Sequence, residues 1–90
     1  MNDVNPALVP SLHPMFRFQW EEAQDCYVLL YPEGMVKLSP SAAEILKHCD
    51  GEKTVGDIIA DLNEQYPDAN LDNDVILFIE RAVENGWIKL

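Results

Sequence analysis

Apolar and polar residues alternate from Phe16 to Trp20, with Phe16, Phe18 and Trp20 on one side and Arg17 and Gln19 on the other. A period of two predicts a half-buried strand. Glu21 to Asp25 form a polar loop. Cys26 to Tyr31 (CYVLLY) are rich in strand formers and apolar on both faces, as a central strand requires. Pro32-Glu33-Gly34 reads as a tight turn, because proline presets φ and glycine tolerates positive values. Met35 to Leu38 then make a third strand, with Val36 and Leu38 on one face and Met35 and Lys37 on the other. The expected sheet is a three-stranded antiparallel meander whose first and third strands are edges.

The period changes after Leu38. Ser39 is placed to cap a helix with Pro40 at its first position, and Ser41 with Glu44 offers an alternative capping box. Ala42, Ile45, Leu46 and Cys49 form its apolar stripe, ended by Asp50-Gly51. Thr54 caps a second helix, with Asp57 three residues on and a stripe of Val55, Ile58, Ile59, Leu62 and Tyr66 before Pro67. Asp72 is expected to cap a third helix closed by Asn85-Gly86. Its core stripe is Val75, Ile79, Ala82 and Val83, with Phe78 and Ile76 on the margins. Leu77 falls on the polar side beside Asp74, Arg81 and Glu84 at ~100° per residue.

Residues 1–14 contain Pro6, Pro10 and Pro14 and no apolar period, so an extended or mobile arm is expected there rather than a packed element. The folded domain is expected over residues 15–90, with Trp87 to Leu90 a short extended tail. The class is α+β. Ninety residues support one small core: the scaling rule lets roughly 64% of the unfolded surface be buried. No apolar run approaches the ~20 residues of a membrane span, and no secretory signal pattern opens the chain. A cytoplasmic protein is expected.

Charge narrows the partners. Sixteen acidic residues against six basic ones give a net −10. Nucleic acid would be repelled, since binding it depends on neutralising phosphates, and anionic membranes are disfavoured for the same reason. A third helix carrying Asp72, Asp74, Glu80 and Glu84 against Arg81 is the wrong sign for a recognition helix in a DNA groove. Cys26 and Cys49 are far apart and read as free buried thiols. His48 beside Cys49 makes no metal site, because adjacent helical residues diverge and no second pair exists. There is no GxSxG, Gly-rich phosphate loop or HExxH, so no catalytic residue is assigned.

What remains is binding. An edge strand presents unpaired N–H and C=O groups that an extended peptide completes. The third strand leads into the helices, so its edge is expected to form one wall of a groove and Asp74, Leu77, Phe78 and Arg81 the other. Leu77 is either a partner contact or an ordinary scattered surface leucine. Proline at Val36 would weaken binding if that N–H points outward. If it points inward, the same change would unfold the sheet, and Met35 or Lys37 becomes the site to test. One other reading uses the same feature: self-association through the edge strand.

The blocks Arg17 to Gln24 (RFQWEEAQ) and Val28 to Leu38 (VLLYPEGMVKL) resemble the pyrroloquinoline quinone biosynthesis protein D (PqqD) family. So do Ser41 to Leu46, Cys49-Asp50-Gly51, Asp74-Val75 and Gly86-Trp87, and together the likeness spans about residues 13–90. It implies a winged-helix-like fold of three strands and three helices without cofactor or catalysis. It also implies the role of a peptide chaperone in pyrroloquinoline quinone (PQQ) biosynthesis, a stand-alone recognition element for a ribosomally made peptide. The partners implied are the precursor peptide PqqA and the radical S-adenosylmethionine enzyme PqqE; a monomer or weak homodimer is expected. A further reading is capture of the finished anionic quinone, against which the acidic balance argues unless Arg17, Lys37 or Arg81 cluster. By position the peptide contacts fall on Gly34, Met35, Val36, Lys37 and Leu38 and on Asp74, Leu77, Phe78 and Arg81.

Overall fold

The computed structural model describes residues 5–90. Strand β1 (Ser11–Leu12) is followed by β2 (Arg17–Glu21), β3 (Cys26–Tyr31) and β4 (Gly34–Lys37), then by α1 (Pro40–Lys47), α2 (Val55–Gln65), α3 (Asp72–Glu84) and β5 (Ile88–Lys89). The sheet has the order β2-β3-β4, antiparallel throughout, with Phe18 opposite Leu29 and Leu29 opposite Val36. The α+β class and the meander followed by three helices match the pattern in the sequence.

Consecutive residues Val28 and Leu29 on β3 are both 0% exposed. Only a central strand covered on both faces does that. Leu29 faces the helices and joins a core built from Leu38, Ile45 and Leu46, from Val55, Ile58 and Leu62, from Val75, Ile79 and Ala82, and from Ile88. Burying each large aliphatic side chain contributes about 1.5–3 kcal/mol. Val28 faces the other way, between its cross-strand neighbours Gln19 and Lys37.

The helix ends follow local chemistry. Ser39 Oγ accepts the Ala42 N–H at 3.2 Å, with Pro40 opening α1. Thr54 and Asp57 form a reciprocal capping box: Asp57 N–H donates to Thr54 Oγ1 at 3.0 Å and Thr54 N–H to Asp57 Oδ2 at 3.3 Å. At the end of α3, Gly86 takes φ +79, the Gly86 N–H donates to the Val83 carbonyl and the Trp87 N–H to the Ala82 carbonyl. That pairing is a Schellman stop, which glycine makes without steric cost.

Four expectations are revised. First, the described part of the proline-containing arm is extended but packed from Leu8 to Leu12: Pro10 is buried, the Leu8 carbonyl accepts the Val55 N–H at 2.8 Å, and β1 pairs with β5. Three prolines forbid a helix, not contact, and backbone pairing with α2 and β5 needs no apolar period. Residues 1–4 lie outside the described residues. Second, the C-terminal tail is the other strand of that small sheet. Third, Asp72 does not cap α3. The capping position is Leu71, whose side chain accepts nothing; the Asp72 N–H donates to Asn70 Oδ1 at 3.4 Å, and Asn63 ties the helix entry to α2, its Oδ1 accepting the Leu71 N–H at 3.1 Å and its Nδ2 donating to Asp72 Oδ1 at 2.8 Å. Fourth, the helix stripes shift. On α1, Ala43 is buried and Ala42 only half-buried, and Tyr66 at the end of α2 is 46% exposed.

Candidate functional site

Strand β4 is an edge, and the hydrogen bond just after it fixes which of its groups are free. The Leu38 N–H donates to the Tyr27 carbonyl at 3.0 Å, so Leu38 points its backbone toward β3. Inward and outward groups alternate in an antiparallel ladder. Val36, opposite Leu29, therefore also bonds inward, and Met35 and Lys37 turn their N–H and C=O groups outward. Of the two alternatives open for Val36, the inward one holds.

Side chains on this edge divide by the same period. Leu38 is buried, Val36 is half-buried against the core, and Gly34, Met35 and Lys37 are exposed. A Cβ at Gly34 would lie 3.3 Å from the Tyr31 hydroxyl, so this end of the strand has little room for a side chain.

On α3, Asp74, Leu77, Phe78 and Arg81 follow the spacing of one helix side, but the structure separates them. Asp74 and Phe78 line a cavity of about 470 Å³ that also takes in Ser39, Ala42, Ile45, Leu62 and Val75. Leu77 is 55% exposed and Arg81 is exposed, and neither lines the cavity. Gly34 to Leu38 do not line it either; the chain enters its wall at Ser39, directly after Leu38. The β4 edge and the Asp74–Phe78 half of the α3 site thus meet at the start of α1. Periodicity missed the α1 wall because Ala42 was assigned to the core stripe. Its place beside the cap residue, where a helix turns away from a strand, was the available signal.

Charges around the site are unevenly paired. Lys47 bonds Glu44 at 3.1 Å and sits 4.8 Å above the centre of the Tyr27 ring. That hydrogen bond holds the Lys47 amine above its usual pKa. Lys53 pairs with Asp61 at 3.0 Å. Among the described residues, Asp74, Arg17, Lys37 and Arg81 make no ion pair within 4.0 Å. Arg17 and Lys37 share the outer sheet face but lie on opposite edge strands, and Arg81 is on α3, so the three do not form a cluster on one element.

Burial pushes the Cys49 thiol up to about 12, with Asp50 adding to the shift, and its S–H donates to the Ile45 carbonyl. That sulfur stays protonated at neutral pH and is no thiolate nucleophile. Among the described residues, no group of three His, Cys, Asp or Glu side chains is placed to hold a metal ion. Among the described residues, no helix is long and apolar enough to cross a membrane.

The sequence profile of the family described as "Coenzyme PQQ synthesis protein D (PqqD)" matches residues 26–88. A "PqqA binding protein" of Stutzerimonas stutzeri is 53% identical over 91 residues, covering 100% of this chain and 99% of the relative. Proteins of the same name from Azotobacter vinelandii and Pseudomonas aeruginosa are 52% and 54% identical, each covering 91% of this chain and 90% of the relative. Among solved structures, the solution structure of the PqqD truncation of Methylobacterium extorquens PqqCD, a stand-alone recognition element for ribosomally made, modified peptides, superposes with a TM-score of 0.79. It covers 98% of this chain and 96% of that one at 24% identity, which speaks to the fold.

Proposed function

The chain belongs to the PqqD family of coenzyme PQQ synthesis proteins, and from that premise we propose that it binds the precursor peptide PqqA and presents it to the radical enzyme PqqE. The peptide adds as a fourth strand on β4, and the recognition domain comprises residues 15–90 together with the packed segment from Leu8 to Leu12. The observation that carries this reading is the outward backbone of Met35 and Lys37 on an edge strand that runs into an apolar cavity against α3.

Strand addition supplies affinity without catalysis. Each backbone hydrogen bond nets ~0.5–1.5 kcal/mol, and apolar contacts must offset the entropy of ordering the peptide. Four or five such bonds with one or two filled pockets give affinities in the micromolar range or below. Holding the peptide near the enzyme turns a bimolecular search into a local one by raising effective concentration. The chain acts in the cytoplasm, needs no cofactor for this role, and works as a monomer or weak homodimer. The contacts on β4 are Gly34, Met35, Val36, Lys37 and Leu38; those on α3 are Asp74, Leu77, Phe78 and Arg81, with Leu77 at the outer margin.

Calorimetric titration with PqqA is expected to give one-to-one binding. Amide shift changes should be centred on β4 and the first two turns of α3. Absence of heat together with unmoved amides would overturn the reading.

A further inference from the structure

Strand addition on β4 leaves a second feature of the fold without a role: the corner where β2 turns into β3. Resting on the presentation reading above, we propose that this corner docks a basic surface of the enzyme that receives the peptide, with one arginine of that surface seated between Trp20 and α1.

Three observations support this occupant. The first is the seat itself. Trp20, Tyr27, Leu38, Pro40 and Ala43 wall a space of about 310 Å³, with Asp25 and Glu44 beside them. Arginine brings an apolar stem for such walls and a planar charged head for the acids. Trp20 is 46% exposed, and an open indole face attracts a guanidinium. Among the described residues, the one cation over an aromatic ring is Lys47 over Tyr27, which leaves the Trp20 ring free.

Charge is the second. Lys47 also lines the space, but it is bonded to Glu44 at 3.1 Å, so its charge is met within the chain. Glu21, Glu22 and Asp25, which follow Trp20 along the chain, make no ion pair among the described residues. A basic partner is the complement, and opposite charge both speeds encounter and fixes register.

Position is the third. Strands β2 and β4 lie on opposite sides of β3, about 10 Å apart at the usual strand spacing. A peptide on β4 therefore leaves Trp20 uncovered. The first turn of α1 divides this space from the cavity beside β4. Ser39, Pro40 and Glu44 touch both, whereas Trp20 and Asp25 line only the one and Asp74 only the other. Peptide and enzyme are thus held at the same time, as presentation requires. A second copy of the chain is the wrong occupant, since it brings a net −10 to an acidic corner.

The test measures binding of PqqE to this chain saturated with PqqA, for the wild type and for Trp20→Ala, Glu22→Lys and Asp25→Asn. All three positions are exposed, and a thermal melt checks each fold. Asparagine keeps the left-handed backbone that Asp25 holds at φ 55. Trp20→Ala is expected to weaken PqqE binding roughly tenfold or more, as loss of an aromatic anchor does. Glu22→Lys and Asp25→Asn should each cost about threefold or more, and that loss should shrink at high salt, where the Debye length falls to about 3 Å. Affinity for PqqA alone should stay within about twofold, because separated sites act independently.

If the folded variants bind PqqE like the wild type, the docking assignment is overturned and the presentation reading stands. If they lose as much affinity for PqqA as for PqqE, the corner belongs to the peptide site and the assignment is likewise overturned. If the wild-type chain saturated with PqqA binds no PqqE, the presentation reading itself is overturned, and the docking assignment with it.

Discussion

Strands β2 and β4 flank the same central strand, and each leaves one side of its backbone unpaired, yet they are built for different neighbours. The ladder parity that turns Met35 and Lys37 outward on β4 turns Phe18 and Trp20 outward on β2. Beyond β2 the chain makes a short 3-10 turn, Glu22–Gln24, and reverses through Asp25 at φ 55. Its end is an aromatic cluster: Phe18 stacks on Tyr27 at 4.8 Å and Trp20 meets Tyr27 edge-on at 5.2 Å. Beyond β4 the chain enters α1 at the mouth of the large apolar cavity. An open edge is a general invitation to pair; the end of β2 has a space of about 310 Å³ beside Trp20 and Tyr27, whereas β4 leads to the one of about 470 Å³ walled by α1 and α3.

The sharpest way to break this comparison is within β4 itself. Val36→Pro removes an inward ladder bond and strands the Leu29 carbonyl in the interior, a cost of about 1–3 kcal/mol before any steric clash. For a domain of this size that lowers the melting temperature by roughly 10 °C or more, which thermal denaturation followed by circular dichroism will register. Lys37→Pro removes an outward donor instead. The fold should survive, because edge strands tolerate proline on the solvent side. Measured against Lys37→Ala, so that the charge is not at issue, the loss of one peptide hydrogen bond should weaken PqqA binding roughly 2- to 10-fold. Trp20→Phe on the other edge is expected to do least, leaving the dissociation constant by calorimetry within about twofold. A larger loss there would make β2 part of the interface.

The central strand, the capping serine and threonine and the core positions of α2 and α3 were legible because each rests on a local rule: two apolar faces, a hydroxyl before a helix, a period of 3.6. The packed N-terminal segment was not. Its stability comes from backbone bonds to α2 and β5, which are distant in sequence and leave no pattern in the side chains. Asp72 does not cap because the helix begins at Asp72 itself, after Leu71, and its carboxylate accepts from Asn63 of α2, a tertiary contact that no local motif announces. At the site, the sequence pointed to β4 and to one side of α3, and the structure brings Asp74 and Phe78 to the cavity while leaving Leu77 and Arg81 outside. The α1 wall was invisible because small residues such as Ala42 and Ser39 carry no chemical signature until a cavity forms beside them.

The most direct measurement is residue-resolved amide hydrogen exchange with and without saturating PqqA. In the free protein Val36 and Leu38 should exchange slowly while Met35 and Lys37 exchange fast, and the peptide should slow Met35 and Lys37 alone on that strand. Slowing at Phe18 and Trp20 instead, or no change along β4, would contradict the account.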